Sequence, residues 1–396
     1  MASPEAASTE VRAGRPPPWR DVRVLRVVFQ LVVLAIITLI VLYLGDNLTT
    51  NQARQGIRRD FGFLNQPTGF KIADSDFRAS QPIRDALGVG AKNTAAVAFM
   101  GIALATVLGI IVGVARLSTN WLVRRAASLY VEFIRNVPVV LIIVFIFLAV
   151  ILRLPRLTEA TELFGAVIIS NELGFTTPSL ERTGAVTGFT AGVAVTMVAA
   201  TAVVFWRTRV FDRKGEPHHR VLWALGVLVL GIAASYVATG GPVILSLPER
   251  DGRVITGGIS MPAAFSALLA GLVIYTASHV AEIVRGSIQA VAKGQSEASS
   301  ALGLNEFQRY RFVILPQAFR IMIPPLANQY LNLTKNSSLA VFIAYPEIAR
   351  ITGITISQGN PAFQLTVIVM GIYLVFSIGI SVIANLVNRR LQLVTR

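Results

Sequence analysis

Asn328, Asn332, Lys335 and Asn336 lie at offsets of 0, 4, 7 and 8, so a helix through them gathers one ammonium and three carboxamides on a single face. Such a face can hold the carboxylate and ammonium of a zwitterion, but it offers no nucleophile and no acid–base pair. Its neighbours are apolar, and a cation near the middle of a bilayer costs at least about 2.5 kcal/mol. Lys335 therefore requires a reason to be there. Two are open: the face lines a path for a polar solute, or it bonds to adjacent helices.

Two further groups of charge lie inside apolar sequence. Glu282 has Arg285 one turn on and reads as a brace. It is too shallow to reach Lys335, which lies more than roughly 10 Å deeper at about 1.5 Å rise per residue. Glu132 and Arg135 are also three apart and precede Asn136-Val137-Pro138, where proline removes a backbone donor and disfavours helix at the residue before it. That segment either frames a gate or carries a neutralised pair at the membrane surface. His279, one turn before Glu282, is open to proton relay or to a simple bond between helices. His218-His219 lacks further ligands nearby for a metal.

The third group is polar and non-membranous: GQSEASSALGLNEFQRYRFVILP, containing Glu297, Ala298, Gly303, Leu315 and Pro316. Its composition favours a short helix, a left-handed turn at Gly303 and a second short helix near Asn305, a good N-cap. A compact helix–turn–helix of this kind can move as a rigid lever. No group amounts to a catalytic site. The spans hold no carboxylate dyad, no histidine cluster and no Ser/His/Asp grouping close in sequence, and the absence of cysteine excludes a thiolate metal site or cysteine nucleophile. A nucleotide-binding GxxxxGK[ST] sequence is missing too, so no metal or cofactor is expected on this chain.

The elements that must position these residues cross a membrane. With 396 residues, 54% hydrophobic and 14% charged, the sequence is too apolar and too long for a single water-soluble domain. Eight apolar stretches reach the length needed to span hydrocarbon, at about 24–44, 93–115, 128–151, 185–206, 221–240, 262–284, 321–344 and 365–387. The first is too long for a cleaved signal and is followed by the unsuitable Gly45-Asp46-Asn47, so it is read as a retained helix. A net charge of +15 invites nucleic acid as a partner, but placing both termini in the cytoplasm puts 21 Lys and Arg inside, counting Arg26 at the start of the first stretch, against 13 outside. That bias is the positive-inside pattern, and the partner it indicates is the lipid bilayer.

Residues 1–23 read as a cytoplasmic tail, and 24–92 as an extra helix followed by an outside segment. Phe61, Phe63, Phe70 and Phe77 need burial, which makes 45–92 a folded lid or a set of short amphipathic helices. There is no internal repeat of the kind that marks many secondary transporters.

The order Glu-Ala-Ser, three residues, Gly, nine residues, Val, one residue, Leu-Pro resembles the coupling (EAA) loop of membrane subunits in bacterial ATP-binding-cassette importers. It departs at Ser299, usually alanine, and at Val313, usually isoleucine. Ala281-Glu282-Ile283-Val284-Arg285-Gly286, Tyr130 to Pro138 and Lys335-Asn336-Ser337-Ser338-Leu339 are similar to polar amino-acid permeases. The length, the extra first helix and two extra central helices are similar to the larger permeases of general L-amino-acid uptake systems, whose relatives handle glutamate, glutamine, aspartate and asparagine.

The resemblance implies an all-α, polytopic type I importer permease with about eight transmembrane helices. Its transmembrane domain would span 93–390, interrupted by a two-helix insertion at about 153–261, with a coupling loop at 293–320. Glu297, Ala298, Gly303, Leu315 and Pro316 would meet the ATPase. Asn328, Asn332, Lys335 and Asn336 are the candidate translocation face, and Glu132, Arg135, Asn136, Pro138, Glu282 and Arg285 the candidate gate or brace. The implied partners are an ABC ATPase in two copies carrying ATP and magnesium, a second homologous permease and a periplasmic amino-acid-binding protein, assembled at a bacterial inner membrane. Such an assembly moves polar L-amino acids into the cytoplasm by alternating access. A stand-alone ion-coupled carrier or channel is the alternative, and it gives no reason for the loop spacing.

Overall fold

The structure is a computed structural model that describes residues 19, 21–54, 56, 60–214, 219–252 and 254–391. The expected tail therefore lies almost wholly outside the described residues, as does His218. Helix α1 (Val22–Arg54) is uncharged from Val27 to Leu44, and its membrane-length window buries nothing, as suits a helix surrounded by lipid. It runs on past the expected end at 44.

A 3-10 turn at Gly62–Asn65 opens the lid. Phe63 and Phe77 are buried with Ile72 against Ile83, Leu87, Ile348, Ile351 and Leu365, and Phe70 is partly buried beside them. Phe61 stays exposed, with its ring centroid 6.5 Å from that of Phe63. Three of the four phenylalanines thus fold the segment as their burial requires. Burial also raises the Asp74 carboxyl above its ordinary value.

Helix α2 (Ile83–Ala115) leads to α3 (Trp121–Arg135) and α4 (Val139–Phe145), which continues through a π turn and a 3-10 turn to Arg153. The single span expected at 128–151 is instead broken: the two halves meet at 103°. Pro138 sits at the break in extended conformation, and the Asn136 side chain donates to the Glu132 carbonyl at 2.6 Å, closing the last turn of α3.

The two loops around the central helices form strands that the sequence reading did not anticipate. The first loop gives β1 (Thr161–Leu163), β2 (Val167–Ser170), β3 (Gly174–Thr177) and β4 (Ser179–Arg182). Helices α5 (Val186–Lys214) and α6 (Arg220–Ala238) follow and pack on each other through Gly192 against Ser235 and Gly231 against Thr196. Then come β5 (Val243–Ser246), β6 (Glu249–Asp251), β7 (Val254–Thr256) and β8 (Ile259–Met261). An antiparallel sheet in the order β1-β2-β3-β8 joins the two loops, β4 pairs with β5, and β6 with β7. Helices α5 and α6 thus form a little-buried hairpin on a small β platform.

Helix α7 (Ala263–Gln289) is the axis of the core, with α2, α4 and the later helices around it. It is followed by α8 (Lys293–Ala301), α9 (Glu306–Arg309), α10 (Leu315–Asn336), α11 (Ile348–Ser357) and α12 (Ala362–Leu391). The α2–α7 contact is closed by glycines. A Cβ on Gly109 would come within 2.5 Å of Val280 Cβ, and one on Gly113 within 2.8 Å of Val284 Cβ. Small residues allow such approach where packing, not water, must hold helices together.

Among the described residues, six helices are long and apolar enough to cross a membrane, or eight when each of two bent pairs counts as one span. The helical membrane fold agrees with the expectation, with the strands added outside it.

Candidate functional site

The polar segment forms the helix–turn–helix that its sequence suggests. Gly303, at φ +75, ends α8, with its N–H donating to the Ser300 carbonyl at 3.0 Å and the Leu304 N–H to the Ser299 carbonyl at 3.2 Å. This pairing is the Schellman helix stop, and it needs a residue free to be left-handed. Asn305 then caps α9 reciprocally with Gln308, at 2.9 and 3.1 Å. Arg309 fastens the halves together, donating to Ser300 Oγ at 3.1 Å and pairing with Glu306 at 3.5 Å.

Glu297 and Ala298 are exposed on this lever, and Leu302 at its tip is 79% exposed, with Phe307 and Phe312 also open. These side chains make an exposed apolar surface on an otherwise polar loop. Ser299 is buried and its hydroxyl bonds the Ser296 carbonyl at 2.8 Å, so its departure from alanine points away from that surface. A π turn at Tyr310–Ile314 precedes Leu315-Pro316. Pro316 has no N–H for the Phe312 carbonyl, and the widened turn absorbs the loss.

At the base of the lever, Glu282 accepts from Arg116 and from Arg285, with Arg135 at 3.6 Å. Arg285 meets Glu282 one turn away, while among the described residues no Glu132–Arg135 pair forms: Arg135 reaches across to α7 instead. Exposed pairs within one turn are worth only about 0.2–0.5 kcal/mol, so a tertiary carboxylate easily wins. The sequence reading missed Arg116, which lies 166 positions from Glu282. His279 Nδ1 lies 3.1 Å from the Tyr275 carbonyl of its own helix, the locally satisfied arrangement.

On α10, Asn328, Asn332 and Lys335 are exposed and Asn336 is half-buried. None of the four side chains bonds to another described residue of this chain. Lys335 and Ser338 face Val369, Met370, Tyr373, Leu374 and Ser377 of α12 across an open cleft of about 480 Å³. Among the described residues, then, no bond from this face to a neighbouring helix of the chain is formed. The face is left for a solute or for a second subunit.

Glu347 was also missed. It is fully buried, caps α11 through the Arg350 N–H at 2.8 Å, and accepts from Tyr373 at 2.9 Å and Thr94 at 3.4 Å. Each polar group stranded by its removal costs about 1–3 kcal/mol. Glu347→Ala is therefore expected to lower the melting temperature of the detergent-solubilised chain clearly, and Glu347→Gln, which keeps an acceptor, less so.

Residues 105–393 match the family described as binding-protein-dependent transport system inner membrane component. The chain is similar to the general L-amino acid transport system permease protein AapQ of Rhizobium johnstonii, 37% identical over 93% of this chain and 92% of that one. It is also similar to the glutamate/glutamine/aspartate/asparagine transport system permease protein BztB of Rhodobacter capsulatus, 35% identical over 95% of this chain and 96% of that one. A solved structure described as an amino acid ABC transporter with histidines matches with a TM-score of 0.46 and 19% identity, over 78% of this chain and 94% of that chain.

Proposed function

This chain belongs to the inner membrane components of binding-protein-dependent transport systems, as a permease subunit of the polar amino-acid ABC type, and from that membership we propose how it works. It is half of an ATP-driven importer that carries polar L-amino acids from periplasm to cytoplasm by alternating access. Both termini and the α8–α9 lever face the cytoplasm, where two copies of a separate ATPase hold ATP and magnesium. The chain itself carries out no chemistry. A second, homologous permease completes the pore, and a periplasmic amino-acid-binding protein delivers the substrate.

Roles follow from position. Glu297, Ala298 and Gly303 present the lever to the ATPase, while Leu315 and Pro316 join it to α10. Asn328, Asn332, Lys335 and Asn336 line the path, with the ammonium meeting the carboxylate of the cargo. The α3–α4 break at Asn136–Pro138 is the gate, and Glu282 and Arg285 brace the base of the lever.

The observation that carries this reading is the lever: a twice-capped, cross-tied helical pair with an exposed apolar tip. The test is co-purification. The chain, expressed with its genomic neighbours and extracted in detergent, should bring down an ABC ATPase and support ATP-dependent uptake in proteoliposomes. Uptake that proceeds with no ATPase present would favour the stand-alone carrier instead.

A further inference from the structure

The three guanidinium groups around Glu282 are not equivalent. Arg116 ends α2, and its side chain is only 10% exposed. Gly109 and Gly113 hold α2 closely against α7, so the backbones that carry Arg116 and Glu282 are packed together. Arg285 is on the same helix as Glu282, three residues on, and moves with it toward α8. Arg135 differs from both: its side chain is 43% exposed, it stands 3.6 Å away, and it belongs to α3, just before a 103° break. Its attraction to one carboxylate is opposed by two guanidiniums already bound there. It is the weakest of the three contacts and the one that can open without repacking the core.

We propose that Arg135 is the releasable arm of a latch on Glu282, through which movement of the α8–α9 lever reaches the break at Asn136–Pro138. The proposal rests on the coupling role of that lever. In the state seen here the arm is closed and α3 is held against the lever's base. When the lever swings, α7 carries Glu282 with it, Arg116 of α2 stays bound, and Arg135 lets go, freeing α3 to change its angle to α4. Arg135 is thus a positioning residue, touching neither nucleotide nor cargo.

The test uses the complete transporter with its ATPase and binding protein. The chain has no cysteine, so Phe133→Cys with Lys293→Cys, both at exposed positions, provides a clean pair for spin labels. In the otherwise unaltered transporter, the distance between the labels should differ between nucleotide-free and ATP-trapped states. With Arg135→Gln added, the two states should give the same broad distribution. Stimulation of ATP hydrolysis by the loaded binding protein should then fall at least about fivefold, the low end of ordinary coupling between sites. Arg135→Lys, which keeps the charge, should restore most of it.

An unchanged distance in the unaltered transporter, or full stimulation in Arg135→Gln, overturns the latch. A failure of Arg135→Gln to assemble, with charge-preserving Arg135→Lys failing equally, also overturns it, because the residue would then be part of the static scaffold. These failures leave the importer reading standing, provided the unaltered complex shows ATP-driven uptake. Absence of that uptake removes the importer reading itself.

Discussion

Replacing Gly303 by valine is expected to leave the chain inserted and folded while loosening its hold on the ATPase by roughly tenfold or more, the equivalent of about 1.4 kcal/mol. The residue sits at φ +75, and no neighbouring atom lies within 4 Å of where a side chain would start. Space is therefore not the issue; backbone conformation is. A β-branched residue held there is strained by about 1–3 kcal/mol. The chain can escape only by leaving the left-handed region, which breaks the bonds from Gly303 and Leu304 to Ser300 and Ser299. The end of α8 then unwinds, and Leu302 loses its position beside Glu297 and Ala298. Nothing in the membrane core is touched, so folding is spared. The series should be graded: asparagine, which tolerates left-handed backbone, near glycine, then alanine, then valine. Co-purified ATPase and ATP-dependent uptake, at matched amounts of chain in the membrane, provide the readout. Valine as active as glycine would mean that no partner reads the shape of the lever.

What the sequence made legible was local. The stop at Gly303 and the cap at Asn305 depend on residues within one turn, so composition and spacing suffice. Phe63 and Phe77 demanded burial wherever they fell, which marked the lid without revealing that Ile348 and Leu365 would cover it. The strands escaped notice because each has only three or four residues, and β3 finds β8 across the whole insertion, with Thr176 and Ser260 bonded 84 positions apart. A pairing so distant leaves only short alternating runs such as Val167–Ser170. Pro138 announced a bend, but its angle is set by how α4 packs on α7. Proximity in sequence misled at Arg135, where Glu132 was the obvious partner and Glu282 the real one. Glu347 carried no local mark beyond a weak cap, because Thr94 comes to it from 253 residues away.

Lys335→Met separates the two readings of the α10 face that remain. Removing one partner of a buried ion pair ordinarily costs about 3–5 kcal/mol, because the other charge is left stranded. Here no described side chain of the chain bonds to Lys335, so nothing is stranded, and an ammonium has been taken out of an apolar setting. Thermal stability of the isolated chain should hold steady or rise. Uptake should nonetheless fall roughly tenfold or more, because a hydrogen bond to a charged group is worth about 1.5–3 kcal/mol and the cargo would lose its cationic contact. Asn332→Ala, removing a neutral amide from the same face, should cost less. The second permease provides the control. If Lys335→Met still assembles with it and uptake collapses, the ammonium serves the solute. If the second permease no longer co-purifies, Lys335 bonds across the subunit interface, and the face on α10 is a seam between subunits. Unchanged uptake with intact assembly would remove Lys335 from the path altogether, leaving the cost of its charge to be explained by the lipid or by water in the open cleft beside Tyr373 and Ser377.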